Sequence, residues 1–105
     1  MALEHRWSTR RFVNLEGIVF HHPVGLLPVR IVDIGLEGAF IAGEGLDLPV
    51  PGGIELTFAI DIGGSRTLYH MNAIVIHHSC GGYGVMFKEF KIEAFRTLMD
   101  VLYAA

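Results

Sequence analysis

A strict alternation of apolar and polar residues is the feature that most constrains this fold. It is cleanest in residues 54–61, where large apolar side chains alternate with Glu, Thr, Ala and Asp. Successive side chains of a β-strand point to opposite faces, so this pattern predicts a strand with one buried face. Similar runs predict further strands over 13–20, 29–33, 39–42, 67–77 and 83–87, and Gly63-Gly64-Ser65 predicts a hairpin turn before the run at 67–77. The prolines fall between these runs, where a missing N–H donor does little harm.

The period of the apolar pattern changes near the carboxyl end. Apolar residues there recur at helical spacing, with charged residues on the other side: Ile92, Phe95, Leu98, Met99 and Leu102. The chain of 105 residues is sized for one domain. We therefore predict a single domain over 1–105, with a flexible arginine-rich arm over 1–12, an antiparallel β-barrel over 13–87 and an α-helix over 90–104.

Positive charge is concentrated at the amino end. Arg6, Arg10 and Arg11 belong to a total of 8 basic residues, and between residues 12 and 62 only Arg30 opposes a series of acids. The net charge of -3 argues against binding to a nucleic-acid polymer, which depends on many phosphate contacts. A small anionic ligand suits this local positive charge better.

Other classes of function find little support in the sequence. No nucleophile elbow, phosphate-cradling glycine loop or paired-carboxylate motif is present, so we expect no enzyme activity. Adjacent histidines such as His77 and His78 point to opposite faces of a strand, so we expect no metal site. The single cysteine, Cys80, fits a reducing compartment. Residues 67–87 lack charged side chains but alternate and contain polar residues, so we expect a cytoplasmic protein without direct membrane insertion.

Two short motifs carry a family resemblance. The segment Arg6-Trp7-Ser8-Thr9-Arg10 precedes the first predicted strand, and Asp33-Ile34-Gly35-Leu36-Glu37-Gly38 follows the second. The chain resembles the PilZ domain family, whose pattern is Arg-x-x-x-Arg followed by Asp/Asn-x-Ser-x-x-Gly. Gly35 stands where serine is usual. The resemblance covers essentially the whole chain, because a glycine-rich hairpin, a Gly84–Phe87 strand and a final helix occur in the expected order.

The resemblance implies a small six-stranded antiparallel β-barrel of the split-barrel type, closed by one C-terminal helix. It also implies binding of cyclic di-GMP, a bacterial second messenger used in motility and biofilm control, by a non-catalytic receptor that signals to a partner protein. No other cofactor is implied. The ligand-binding residues would be Arg6, Arg10, Arg11, Asp33, Gly35, Gly38 and His77.

The chemistry of these residue types agrees with that ligand. Guanine O6 and N7 match the planar fork of an arginine, which also grips phosphate with two hydrogen bonds. A carboxylate such as Asp33 can accept hydrogen bonds from guanine N1–H and N2–H. Gly38 would supply a turn conformation or a close backbone approach.

Several alternatives stay open at the level of sequence. Losing the serine hydroxyl at Gly35 costs roughly 0.5–1.5 kcal/mol of binding free energy. This departure motivates a second hypothesis, a degenerate PilZ domain that binds no nucleotide and serves as a protein-interaction module in pilus or motility regulation. The sequence does not choose between one and two bound ligands, between a monomer and a weak homodimer, or among downstream partners.

Overall fold

Six antiparallel strands form the fold. The computed structural model describes residues 10–22, 24–35, 37–79 and 81–89. The strands form a closed barrel in the order β1-β2-β3-β6-β5-β4, which confirms the predicted barrel class. The predicted helix over 90–104 lies outside the described residues, and no helix in the described part is long and apolar enough to cross a membrane. The strands are β1 (Arg10–His21), β2 (Gly25–Gly35), β3 (Gly38–Ala42), β4 (Gly52–Ile62), β5 (Ser65–Ser79) and β6 (Gly82–Glu89).

The period-two pattern fills the barrel with apolar side chains. In β4, the even-numbered residues from Ile54 to Ile60 point inward and are buried, while the odd-numbered residues between them are more exposed. No buried side chain among the described residues is polar or charged, other than the phenols of two tyrosines. The core therefore follows directly from the alternation. Its largest fully buried members are Phe58, Ile31, Ile34, Ile41, Leu56, Val19, Val75 and Val85.

Hairpin geometry agrees with the predicted turn at Gly63-Gly64. Strands β4 and β5 pair as far as Ile62 and Ser65, and the two glycines between them have φ angles of 55° and 86°. Both glycines thus adopt the left-handed conformation that a two-residue hairpin requires, which favours glycine at both positions.

The closing contact of the barrel is short. Strand β1 pairs with β2 along almost its full length, but it pairs with β4 only over residues 17–20. Gly17 lies at the start of this closing contact, where an added Cβ would be 3.1 Å from the carbonyl oxygen of Thr57 and 3.4 Å from Cγ2 of Val29. Gly17 therefore permits the close approach of β1 to β4, and it does not interrupt the strand.

Two predicted boundaries were wrong in a way that bears on the site. Strand β1 begins at Arg10 instead of residue 13, so residues 10–12 belong to the barrel and not to the arm. Strand β2 continues to Gly35, two residues beyond its predicted end at Asp33. Both extensions have one cause: β1 and β2 keep pairing beyond a register shift between Phe12 and Leu15.

Gly38 marks the closest approach between β3 and β6. It pairs with Met86, and an added Cβ would overlap the backbone carbonyl of Val85. Its φ angle is not positive, so the close approach, and not a left-handed turn, explains glycine here. Beside it, the N–H of Phe87 donates a hydrogen bond of 2.8 Å to the carbonyl oxygen of Glu37. The connection between β2 and β3 is thereby fixed against β6.

We predict that Gly38→Ala destabilises the barrel by about 1–3 kcal/mol, because the new methyl group forces β3 away from β6. Gly53→Ala is the matched control, since its Cβ would meet no atom within 4 Å and its φ angle is not positive. Urea unfolding of both variants measures the difference. Equal stability of the two variants would contradict this account of Gly38.

Candidate functional site

Strand pairing brings the two sequence motifs side by side. In the β1–β2 ladder, Arg10 lies opposite Gly35, Arg11 opposite Ile34 and Phe12 opposite Asp33. The end of the Arg-x-x-x-Arg segment and the start of the Asp-x-Gly-x-x-Gly segment are therefore neighbours through backbone pairing. Arg6, the first arginine of the motif, lies outside the described residues.

One row of residues crosses five strands on the outside of the barrel. Phe12 pairs with Asp33, Asp33 with Phe40, Phe40 with Gly84, and Gly84 with His77. Directly opposed residues of antiparallel strands share a face. We call these five positions the outer row. It joins Asp33 and His77, which the sequence analysis singled out separately.

Side chains of the outer row are accessible to different degrees. Phe12 is 89% exposed, the highest value among the exposed large apolar residues. Asp33 and Phe40 are half-buried, and His77 is exposed. Asp33 makes an interaction of its own in the folded chain. A carboxylate is thus presented on the barrel surface between two aromatic positions, one on each neighbouring strand.

Glycines let two of these rings approach each other. The centroids of Phe40 and His77 are 6.5 Å apart and the ring planes are inclined by 36°. An added Cβ at Gly84 would overlap the imidazole of His77, and one at Gly82 would lie 2.7 Å from Cε2 of Phe40. Both rings therefore lie over the backbone of β6, which has no side chain at these two positions.

This arrangement has a definite chemical capacity. A carboxylate accepts hydrogen bonds from paired N–H groups, and neighbouring aromatic rings offer flat faces to a planar base. Three strand spacings separate Asp33 from His77, roughly 14 Å along the sheet surface. The outer row therefore has room for a ligand larger than a single base.

Phe12 and Phe40 were not among the predicted site residues. Alternation indicates that Phe40 points away from the core, but it does not say which strands lie beside β3. The neighbouring positions follow only from the strand order, in which β3 lies between β2 and β6. The sequence shows the residue types at these positions, but it does not show the strand order and register that bring them together.

A second polar cluster lies elsewhere, on the outer faces of β4 and β5. Thr57 Oγ1 is 2.8 Å from Nδ1 of His70, and Nε2 of His70 is 3.0 Å from Oε1 of Glu55. The side chains of His70 and Glu55 are 57% and 45% exposed, so water competes for these contacts. In the described part of the chain, no three or more His, Cys, Asp or Glu side chains are placed to hold a metal ion.

Solved structures with the same fold include three from different sources. They are the Bacillus subtilis inhibitor of motility MotI/DgrA (TM-score 0.75, 12% identity), the PilZ domain of CeSA from a cellulose-synthesizing bacterium (TM-score 0.61, 12% identity) and the Legionella uncharacterized protein Lpg0364 (TM-score 0.55, 19% identity). The alignments cover 88%, 91% and 90% of this chain. At these identities the likeness concerns the fold alone.

The alignments cover different shares of the three solved structures. The matched region is 46% of MotI/DgrA, so this chain corresponds to about half of that protein. It is 96% of the CeSA domain and 89% of the Legionella protein. A search of curated protein sequences gave no match.

The fold places this chain among the small closed antiparallel β-barrel domains. The model of one family, described as the PilZ domain, matches residues 4–104. The chain therefore belongs to the PilZ family, a family of cyclic di-GMP receptors, and no family of enzymes is indicated.

Proposed function

We propose that this protein binds cyclic di-GMP between its arginine-rich amino-terminal segment and the outer row of the barrel. The observation that carries the proposal is the β1–β2 register, which sets Arg10 opposite Gly35 and Phe12 opposite Asp33. Two motifs that are 23 residues apart in sequence, from Arg10 to Asp33, thereby become adjacent.

The two halves of the proposed site divide the ligand chemistry. Arg6, Arg10 and Arg11 supply guanidinium groups for phosphate oxygens and for guanine O6 and N7. Asp33 supplies the acceptor that guanine N1–H and N2–H require. Neither half alone matches a ligand that carries both phosphates and guanines, so affinity depends on both.

The proposed activity is that of a non-catalytic receptor with a protein partner. A ligand that contacts both the arginine segment and the barrel stabilises the arrangement in which the two are in contact. The ligand-bound protein then presents a different surface from the ligand-free protein, and the partner protein binds the two with different affinity. This is the simplest way in which a domain without a catalytic group transmits the nucleotide signal.

We expect Arg10→Ala and Asp33→Ala each to weaken cyclic di-GMP binding by about 10- to 100-fold, because each removes hydrogen bonds to a charged group worth roughly 1.5–3 kcal/mol. Isothermal titration calorimetry measures affinity and stoichiometry together, which also decides between one and two bound ligands. Thermal unfolding gives an independent readout, since ligand at a hundred times Kd stabilises the native state by about 2.7 kcal/mol.

Two matched controls separate the site from general charge effects. Arg30→Ala removes an exposed arginine of β2 that faces Glu16 across the ladder. Asp61→Ala removes an exposed carboxylate that is 3.1 Å from Arg66. Both should bind like the wild type. Wild-type protein that gives no heat at high micromolar ligand would refute the receptor proposal, and unchanged affinity of both site variants would refute the site.

Gly35 favours a second candidate function, a PilZ domain that has lost nucleotide binding and acts as a protein-interaction module. The residue is buried in the β1–β2 ladder and lacks the hydroxyl of the family motif. Such a protein would bind its partner equally well with and without cyclic di-GMP. The receptor would change its partner affinity when the nucleotide is added.

Restoring the serine tests how much this departure matters. We expect Gly35→Ser to raise the affinity for cyclic di-GMP by up to about tenfold, the value of one neutral hydrogen bond. Calorimetry on the variant measures the gain, and urea unfolding confirms that the buried hydroxyl leaves the barrel intact. Unchanged affinity at unchanged stability would show that the backbone at position 35 already satisfies the ligand.

A further inference from the structure

Strand β6 presents an unusually bare outer face. Its inward positions carry Tyr83, Val85 and Phe87, which are all buried. The first two outward positions are Gly82 and Gly84, so no side chain of β6 covers the sheet surface there. In most strands the outward positions carry side chains that shield the backbone.

Rings from the two neighbouring strands cover this bare surface. Phe40 comes from β3 and His77 from β5, the strands on either side of β6, and their ring centroids are 6.5 Å apart. Both glycines are required for this, because a Cβ at either position would meet one of the rings. The result is a shallow apolar surface with an aromatic ring on each side.

This surface is continuous with the acidic part of the outer row. Phe40 lies directly opposite Asp33, at one strand spacing of roughly 4.8 Å. A planar base that donates hydrogen bonds to Asp33 from its edge and lies parallel to the sheet surface would cover Phe40 with its face.

We propose that Phe40, together with His77 and the glycines beneath them, forms a stacking platform for a purine base of the ligand. This inference rests on the proposed function and assigns Phe40 a ligand contact that the family motifs do not include. Aromatic rings bind bases largely through stacking, and the binding free energy that stacking contributes depends little on which base is bound. Asp33 would select the base by hydrogen bonding, and Phe40 would supply affinity.

Phe40→Leu tests the platform while keeping an apolar side chain over Gly82. We expect cyclic di-GMP affinity to fall by about five- to tenfold in calorimetry, the lower part of the range for loss of one base–ring stack. Phe20→Leu is the matched control, because Phe20 also lies on the outer face but on β1, opposite Leu26. That variant should bind like the wild type.

Gly84→Ala separates binding from stability. Its Cβ would press on the exposed imidazole of His77, which can swing away, so the barrel should keep its stability while affinity falls about fivefold. Gly82→Ala is not a clean test, because its Cβ would also overlap the backbone carbonyl of Ile41. Gly53→Ala serves as the control for adding a methyl group to a strand.

A tryptophan at position 77 reports ligand contact through its fluorescence. If this position had only a structural role, adding the ligand would leave that fluorescence unchanged. In a Trp7→Phe background, the indole introduced by His77→Trp should be quenched by cyclic di-GMP, with the midpoint that calorimetry gives for the same variant. The indole introduced by Leu68→Trp, on the outer face of the same strand but nine residues away, should not respond.

The outcomes distinguish this proposal from the function on which it rests. If wild-type protein binds and Arg10→Ala weakens binding, but Phe40→Leu and Gly84→Ala bind normally, the platform is refuted and the receptor function stands. If wild-type protein does not bind cyclic di-GMP at all, both are refuted. Selective loss in the two platform variants at unchanged stability supports the platform.

Discussion

The antiparallel pairing of β1 with β2 is the interaction on which the candidate site depends. Strand β1 leaves β4 before residue 17, toward its amino end, yet it stays hydrogen-bonded to β2 as far as Arg10. Without that extension, the arginine segment would meet the acidic motif only through side chains. With it, the position of Arg10 relative to Asp33 is set by backbone geometry. Ordering a long side chain costs conformational entropy, and backbone pairing sets this position without that cost.

Close packing of backbones is the second constraint, and it explains glycine at three outward positions. Gly38 lets β3 approach β6, while Gly82 and Gly84 let rings from both neighbours lie on β6. These glycines have no positive φ angle, so their role is the absence of a side chain and not an unusual backbone conformation. Stability and the proposed site therefore depend on the same local feature, but in separable ways. The nearest atoms to an added Cβ at Gly38 are backbone atoms of β6, whereas those at Gly84 belong to the exposed side chain of His77.

The sequence predicted the barrel well because the core is almost purely apolar and its period is two. It predicted the turn at Gly63-Gly64 for an equally local reason, the left-handed conformation of both residues. Boundaries at residues 10–12 and 34–35 were wrong because these residues continue the backbone pairing of β1 with β2, which residue type does not indicate. Phe40 was missed because its neighbours on β2 and β6 are set by strand order, a property of the whole chain. Local patterns thus predicted the strands, whereas the outer row could be identified only from the way in which those strands pair.

The uneven charge of the chain complements the composition of the outer row. Of the five residues of that row, Asp33 carries a carboxylate, and the other side chains are aromatic or absent. A dianionic ligand would be repelled by such a surface if it met no cation. Arg10, whose backbone pairs with Gly35 two residues from Asp33, begins β1 beside this row and is the cation we assign to that role. Under the proposed function, binding at this surface would require both the cationic segment and the aromatic, acidic row, and the site would then select ligands that combine phosphate with a hydrogen-bonding base.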